Sequence, residues 1–283
     1  MVTLVKLMKC PSWEQAAIIE LNRAYDKTLS RFTTEPAEFR DILRRTGSIV
    51  SGSAAIWFLF RLPVTWKAAD MDVFTPYGAF DQVVHLLEEL VGHQAVMLDD
   101  EEFDPLDSPF ARRLGILTDE FRIVIMESQT KSPFTVMTSY WSTHVMNALT
   151  ADTFWSAYPS LTLRKIGVYN FNRDGGCGTV AMGNSSRQGF TLVRKAAESW
   201  FGIGSKRCDG YLACPSRNRV LGDCFTLKLT MSQHSDDDGE HAVNGTYTVG
   251  WILGSLPCGN DRCLVPGELK SSCLPLDSVL GVV

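Results

Sequence analysis

Apolar residues recur at helical spacing in three stretches of the first hundred positions. Residues 13–28, 35–47 and 77–92 carry apolar side chains at every third or fourth position, which predicts three amphipathic helices. Gly47 is suited to the end of the second helix. Residues 54–60 are almost entirely apolar, and we predict a fourth, buried helix there.

Short apolar runs between these helices predict β-strands. Residues 48–51, 70–75 and 121–126 have the length and composition of buried strands, and residues 95–98 predict a further short one. Because helices and strands alternate along the chain, we predict an α/β fold in which a small mixed sheet is flanked by helices.

The chain after residue 170 predicts a different organisation. Residues 172–178 are rich in glycine and in turn-forming residues, which predicts an exposed loop. We place a domain boundary there, between a core of residues 1–170 and a C-terminal subdomain of residues 171–283.

The C-terminal subdomain is predicted to contain a helix and a hairpin. The helix begins at about Arg187 or Gly189 and ends at Trp200, and its basic face is either solvated or in contact with a triphosphate. Residues 225–230 alternate apolar and polar side chains and predict a strand, with residues 246–253 as its hairpin partner.

Two polar features interrupt the apolar pattern of the core. Gly52 and Ser53 lie between the first strand and the helix that follows it, so backbone N–H groups at the helix start can face a phosphate. Asp70 and Asp72 are one residue apart on the next strand, and alternate side chains of a strand point to the same face. The two carboxylates can therefore bind one hard cation such as Mg²⁺.

The order of these residues resembles the core signature of the nucleotidyltransferase-fold superfamily, the DNA polymerase beta-like enzymes. The signature is a Gly-Ser or Gly-Gly turn, a helix, and a strand in which acidic and hydrophobic residues alternate. It is matched here by Gly52, Ser53, Asp70, Met71, Asp72 and Val73. The resemblance covers roughly residues 35–130, with a longer spacing between turn and strand than is usual in the family.

The resemblance implies a magnesium-dependent transferase. Asp70 and Asp72 would hold Mg²⁺, and the amides of Gly52 and Ser53 would hold the phosphates of a nucleoside triphosphate. A nucleoside monophosphate would then be transferred to an unknown acceptor.

Complete members of the family carry a third carboxylate, on a strand equivalent to residues 121–126. Here the interior of that strand holds Arg122 and apolar residues. The candidates for the third acid are therefore Glu127 at its end and Asp119 or Glu120 at its start. The alternatives to a transferase are a catalytically degenerate protein that binds nucleotide or serves as an interaction module, and a purely structural domain.

Residues 141–163 are similar to a stretch of uncharacterised fungal proteins of the nucleotidyltransferase-like type. The shared patterns are Ser-Thr, Val-Met-Asn and Tyr-Pro-x-Leu-Thr. No reaction is attached to them. For His144 and Asn147 we favour hydrogen-bonded structural roles over a general base or a substrate contact.

Composition and charge limit the partners. The chain has 283 residues, of which 45% are hydrophobic and 21% are charged, as is typical of globular proteins. A net charge of −5 argues against an extensive nucleic-acid surface. No apolar run is long enough for a membrane span or a secretory signal, so we expect a cytoplasmic or nuclear protein without a membrane partner.

Six of the eight cysteines fall in the last third of the chain. Cys208, Cys214 and Cys224 are candidate zinc ligands together with His234 or His241, because zinc accepts thiolate and imidazole. Their spacings are not those of a zinc knuckle or ribbon. We therefore favour reduced cysteines that pack as small apolar side chains.

Overall fold

The protein has an α/β fold, as its sequence predicts. A computed structural model describes residues 8, 10–60, 70–98, 109–170, 179–204, 214, 217–232 and 249–254. The helices in these ranges are α1 Pro11–Leu29, α2 Pro36–Thr46, α3 Gly52–Phe60, α4 Phe80–Val91, α5 Phe134–Thr138, α6 Pro159–Leu163, α7 Thr179–Arg187 and α8 Glu198–Phe201. None of them combines the length and the apolar composition that crossing a membrane requires.

The strands form one large sheet and two small ones. They are β1 Ile49–Ser51, β2 Asp70–Thr75, β3 Ala95–Val96, β4 Phe110–Leu117, β5 Arg122–Ser128, β6 Asn147–Leu149, β7 Thr153–Ser156, β8 Ile166–Val168, β9 Thr191–Val193, β10 Asn218–Val220, β11 Leu227–Thr230 and β12 Gly250–Ile252. The large sheet has eight strands in the order β11-β7-β6-β1-β2-β5-β4-β3, and the small sheets pair β8 with β9 and β10 with β12.

The chain divides into two compact units that are discontinuous in sequence. Unit 1 contains Met1–Met137, Asn147–Trp155 and Lys228–Tyr247, and unit 2 contains Thr138–Met146, Ser156–Leu227 and Thr248–Val283. The boundary predicted at residues 170 and 171 adjoins a loop that lies outside the described residues, so it stays a prediction.

Strands β2 and β5 are adjacent inner strands of the large sheet. β2 is antiparallel to β1 and parallel to β5, and β5 is antiparallel to β4. Met71 and Val73 of β2 and Ile123 and Ile125 of β5 are completely buried. A parallel pair needs a long connection, which is provided here by the chain through α4, β3 and β4.

Four helices of unit 1 pack in contact with one another and bury aromatic side chains. α1 contacts α2 and α3, and α2 contacts α4. Tyr25 of α1 meets Phe58 of α3 edge to face, with ring centroids 5.9 Å apart, and its hydroxyl donates to the Thr150 carbonyl at 3.0 Å. Phe58 also contacts Phe154 of β7 at 5.2 Å. This aromatic core fixes α3 against the sheet, and with α3 the turn at its start.

The structure corrects the predictions for the C-terminal part. The predicted helix at residues 187–200 is wrong, because α7 ends at Arg187 and is followed by β9, which is parallel to β8. Lys195 lies after β9, so the proposed basic helix face does not exist. The predicted hairpin is also wrong, since β12 pairs with β10 while β11 is an edge strand of the large sheet.

Candidate functional site

The Gly-Ser turn and the Asp-x-Asp strand meet at one point of unit 1. In the antiparallel pair of β1 and β2, Ser51 is opposite Asp72, so Asp72 lies beside the residue at which α3 begins. That residue is Gly52, with φ of +65°. A Cβ atom at Gly52 would overlap the Asp72 carboxylate and lie 2.9 Å from its Cγ. Only glycine leaves room for this carboxylate against the start of the helix.

The beginning of α3 attracts negative charge. The first N–H groups of a helix have no partner inside it, and the helix dipole adds positive potential at this end. The helix is nine residues long and has no acidic residue in its first turn. In this structure the Asp72 carboxylate supplies the negative charge from the neighbouring strand. A phosphate group would be attracted to the same place.

Asp70 lies on the same face of β2 as Asp72, at the first position of the strand. Its backbone carbonyl accepts a hydrogen bond of 3.0 Å from Ser53 Oγ, which ties the first turn of α3 to β2. Its side-chain Oδ1 accepts a hydrogen bond of 3.2 Å from Nε of Arg122 on β5. The side chains of Asp70 and Arg122 remain 42% and 49% exposed. Water screens this ion pair, which makes it easy to exchange.

The neighbouring strand β5 offers no acid beside these two carboxylates. In the parallel pair of β2 and β5, Arg122 is opposite Asp70 and Val124 is opposite Asp72. Residues in register on adjacent strands point to the same face of a sheet. This face of β5 therefore presents a guanidinium and an apolar side chain at the level of the Asp-x-Asp pair.

Glu127, one candidate for the third acid, points to the other face of the sheet. It is opposite Thr75 and three residues after Val124, and side chains alternate along a strand. Only 3% of Glu127 is exposed. Its Oε1 accepts from the Gly78 backbone N–H at 2.8 Å, and its Oε2 accepts from Arg112 Nε at 2.7 Å. The structure thus uses Glu127 to fix the turn after β2 and does not bring it together with Asp70 and Asp72.

The other two candidates lie in the turn that joins β4 to β5. Asp119 and Glu120 are exposed there, and the turn is closed by a hydrogen bond of 3.0 Å from Thr118 N–H to the Phe121 carbonyl. The turn leads directly into Arg122, so it lies at the same end of the sheet as Asp70. Of the three candidates for the third acid, Asp119 and Glu120 are therefore the two that lie at the same end of the sheet as Asp70.

Sequence reasoning missed a second arginine on the site's face of the sheet. Arg113 of β4 is opposite Met126 of β5, which is in step with Val124 and Arg122 along the strand, so Arg113 points to the same face as Arg122. Burial first, and then the positive charge of Arg122, lower the pKa of Arg113. Positive charge thus accumulates on the face that carries Asp70 and Asp72. The signal was hidden because β4 was not predicted.

Asp70 and Asp72 are carboxylates of the kind that could hold a magnesium ion. Mg²⁺ in proteins is commonly held by one or two carboxylates together with substrate phosphates and water. Asp70 and Asp72 can supply the two carboxylates, and α3 can receive the phosphates. Among the described residues, no group of three or more His, Cys, Asp or Glu side chains is arranged to hold a metal ion. Of the candidate zinc ligands, Cys214 is buried and Cys224 is partly buried, whereas Cys208, His234 and His241 lie outside the described residues.

His144, in unit 2, has the structural role that the sequence favours. It is fully buried, with Nδ1 2.9 Å from Ser142 Oγ and Nε2 3.0 Å from Ser185 Oγ. The rings of Trp141 and Phe190 lie against the imidazole, at centroid distances of 5.1 and 4.4 Å. Burial lowers the pKa of His144 to about 3, so the imidazole is neutral at pH 7.

Unit 2 also contains a buried arginine, Arg219, whose guanidinium contacts other groups of the same unit. The side chain of Arg219 is 1% exposed and forms an ion pair with Asp223, including an Nη2–Oδ1 hydrogen bond of 2.9 Å. Nη2 also donates to the Ala157 carbonyl at 2.9 Å. The guanidinium lies over the rings of Tyr158 and Trp251, 4.7 and 5.1 Å from their centroids. These contacts hold parts of unit 2 together.

Comparisons of the chain with models of protein families, with curated proteins and with solved structures each find no match. The functional interpretation therefore depends on the residues of unit 1 themselves. Its main supports are the contact of Asp72 with Gly52 and the exposed pair of Asp70 with Arg122.

Proposed function

We propose that unit 1 is a nucleotidyltransferase-like module that binds a nucleoside triphosphate together with Mg²⁺. The observation that carries this proposal is the meeting of the Asp-x-Asp strand with the Gly-Ser turn, where the Asp72 carboxylate takes the space of a missing side chain at Gly52. The contact, together with φ of +65°, explains why glycine stands at position 52. A packed apolar core has no need of the carboxylate of Asp72.

In this proposal, different residues bind the metal ion and the phosphates. Asp70 and Asp72 would hold Mg²⁺, and the start of α3 at Gly52 and Ser53 would receive the phosphates. Bound Mg²⁺ would neutralise phosphate charge that otherwise faces the two carboxylates. Ser53 Oγ, which donates to the Asp70 carbonyl, would keep the turn and the strand at a fixed distance.

Of the two functions that such a site can have, binding without transfer has the better support. Two-metal phosphoryl transfer uses shared carboxylates to hold both ions. Here β5 presents Arg122 and Val124 beside the aspartates, and Glu127 is occupied on the other face. We therefore propose a catalytically degenerate module that senses nucleotide or interacts with a partner in a nucleotide-dependent way.

A magnesium-dependent transferase is the second candidate. It is favoured by Asp119 and Glu120, which are exposed in the turn before Arg122, at the end of the sheet where Asp70 lies. A transferase would move a nucleoside monophosphate from the triphosphate to an acceptor.

Thermal unfolding with and without ligands tests the binding proposal. Each of ATP, GTP, CTP and UTP is added with Mg²⁺, and a ligand at one hundred times its Kd should stabilise the protein by about 2.7 kcal/mol. Asp70→Asn and Asp72→Asn should lose this stabilisation. Glu89→Gln is a matched control, because it removes one exposed carboxylate of α4 whose partner is His85 of the same helix. If no triphosphate with Mg²⁺ shifts the wild-type transition, the proposal is wrong.

A labelling experiment separates the two candidates. Triphosphate labelled at the α-phosphate is incubated with Mg²⁺, the protein and a cell extract. Covalent label that Asp72→Ala abolishes would establish transfer. Binding without label transfer would establish the degenerate module.

A further inference from the structure

Both aspartates of the site already have partners of opposite polarity within the protein. Asp72 lies against the positive end of α3 at Gly52, and Asp70 is hydrogen-bonded to Arg122. These partners are also the groups that suit a phosphate: a helix start and a guanidinium. In this structure the two carboxylates therefore contact the start of α3 and the Arg122 guanidinium, which are the groups that would bind the phosphates of the proposed ligand.

Because of this arrangement, we expect Mg²⁺ alone and the triphosphate alone each to bind weakly. A cation that binds Asp70 alone would bring positive charge next to Arg122 and remove the guanidinium from its counterion. A phosphate that binds Arg122 alone would bring negative charge next to Asp70 and Asp72. When the cation and the phosphate bind together, every charged group keeps a partner of opposite charge. The two carboxylates then contact the cation, and Arg122 and the start of α3 contact the phosphate.

We propose that Arg122 is a phosphate-binding residue that couples the binding of Mg²⁺ to that of the triphosphate by moving from Asp70 to the phosphates. The inference rests on the proposed function. The position of Arg122 supports it, since the parallel register places this residue opposite Asp70 and its side chain is half exposed to water. The guanidinium also suits phosphate in a way that lysine does not, because its planar fork can donate two parallel hydrogen bonds.

A second arginine, Arg113, adds positive charge to this face of the sheet and so favours the binding of an anion there. Arg113 points to the same face as Arg122 and is partly buried. The charge of Arg122 acts together with burial to lower the pKa of Arg113. A phosphate near Arg122 would relieve this repulsion between the two guanidinium groups.

Titration calorimetry on the intact protein tests the coupling. Mg²⁺ alone, triphosphate with EDTA, and triphosphate with excess Mg²⁺ are titrated into wild type, Arg122→Gln and Arg122→Lys. For wild type we expect triphosphate to bind about 5–150 times more tightly with Mg²⁺ than without it, the usual range of coupling between two ligands. For Arg122→Gln we expect tighter binding of Mg²⁺ alone, about tenfold weaker binding of the triphosphate with Mg²⁺, and a smaller coupling factor. Arg122→Lys should lie between the two.

A matched arginine of α2 provides the control for these titrations. Arg45→Gln removes an arginine of similar exposure, 46%, that is paired with Glu38 and Asp41, and it should leave all three affinities unchanged. If wild type binds no triphosphate with Mg²⁺, the proposed function fails and this inference fails with it. If wild type binds but Arg122→Gln binds equally well, or if Mg²⁺ alone binds more weakly to Arg122→Gln than to wild type, only the coupling inference is overturned.

Discussion

Two ion pairs of the same chemistry lie in the two units and differ in their surroundings. In unit 1, the side chains of Asp70 and Arg122 are about half exposed and share a hydrogen bond of 3.2 Å. In unit 2, Arg219 is buried and Asp223 is 21% exposed, and the arginine is enclosed by a backbone carbonyl and aromatic rings. Asp70 and Arg122 can therefore separate to bind a ligand, whereas Arg219 and Asp223 stay paired and stabilise the fold.

The difference shows how to distinguish charged groups that stabilise from those that bind. A buried charge is costly unless its partners are complete, and removing one partner leaves the other uncompensated. An exposed pair is solvated in both its paired and its open form, so its contribution to stability is small. We therefore expect substitutions in unit 2 to change the free energy of unfolding and those at Arg122 to change ligand affinity.

The largest effect is expected for Arg219→Met. This change keeps much of the side-chain volume but leaves Asp223 without its counterion, and it should lower the free energy of unfolding by about 3–5 kcal/mol. Urea unfolding followed by tryptophan fluorescence measures it. A loss no larger than that of Arg122→Gln would contradict the contrast between the two pairs.

The next effect is expected at the turn of unit 1, for Gly52→Ala. The new Cβ meets the Asp72 carboxylate, and φ of +65° is strained for alanine, so we expect a loss of about 2–3 kcal/mol in the free energy of unfolding. Gly92→Ala is the matched control, since Gly92 has φ of +74° and a Cβ atom added there would meet nothing within 4 Å. It should lose only about 1 kcal/mol, from backbone strain. Equal losses for both variants would mean that Asp72 does not pack against Gly52.

A smaller effect depends on pH and belongs to His144. Its pKa is lowered to about 3 in the folded protein, against about 6.5 in the unfolded chain. Between these values the unfolded chain binds a proton that the folded protein does not, so stability falls as the pH falls. We expect this histidine to remove about 2 kcal/mol between pH 7 and pH 5.

Comparison with His144→Gln isolates this contribution. The wild type should lose more stability than the variant between pH 7 and pH 5, as measured by urea unfolding at each pH. If the two lose the same amount, His144 is accessible to protons in the folded protein.

The smallest effect on stability is expected for Arg122→Gln. Because both side chains of the pair are about half exposed, the free energy of unfolding should change by less than about 1 kcal/mol. Urea unfolding without ligand measures it, with Arg45→Gln as a variant of similar expected size. A loss above about 2 kcal/mol would exceed what an exposed pair contributes and would mean that Arg122 belongs to the fold and not to a binding site.

Local sequence patterns were sufficient for the part of the fold that positions the site. β2 has the predicted bounds, Asp70–Thr75, and α2 ends before Gly47 as expected. The helices α1, α3 and α4 were found with small changes at their ends. These elements have strong apolar periodicity or clear end signals, and such signals lie within a few residues of the feature that they predict.

The elements that were missed have interrupted or very short patterns of apolar and polar residues. β4 contains the adjacent residues Arg112 and Arg113, which point to opposite faces, so apolar and polar positions do not alternate along it. β9 is held by its parallel partner β8, and β12 pairs with β10 instead of β11. A strand of three residues has too short a pattern to reveal its partner. The sequence also does not show the register of β2 against β5, which places Arg122 opposite Asp70.

The interrupted path of unit 1 along the chain has a consequence for biosynthesis. Its edge strand β11 and the carbonyl of Met231, which accepts a 2.7 Å hydrogen bond from Asn22 of α1, come from a much later part of the chain than the helices they join. During translation, Asn22 emerges from the ribosome 209 residues before this partner exists. The contact between Asn22 and Met231 can therefore form only after the first two segments of unit 2, Thr138–Met146 and Ser156–Leu227, have been synthesised.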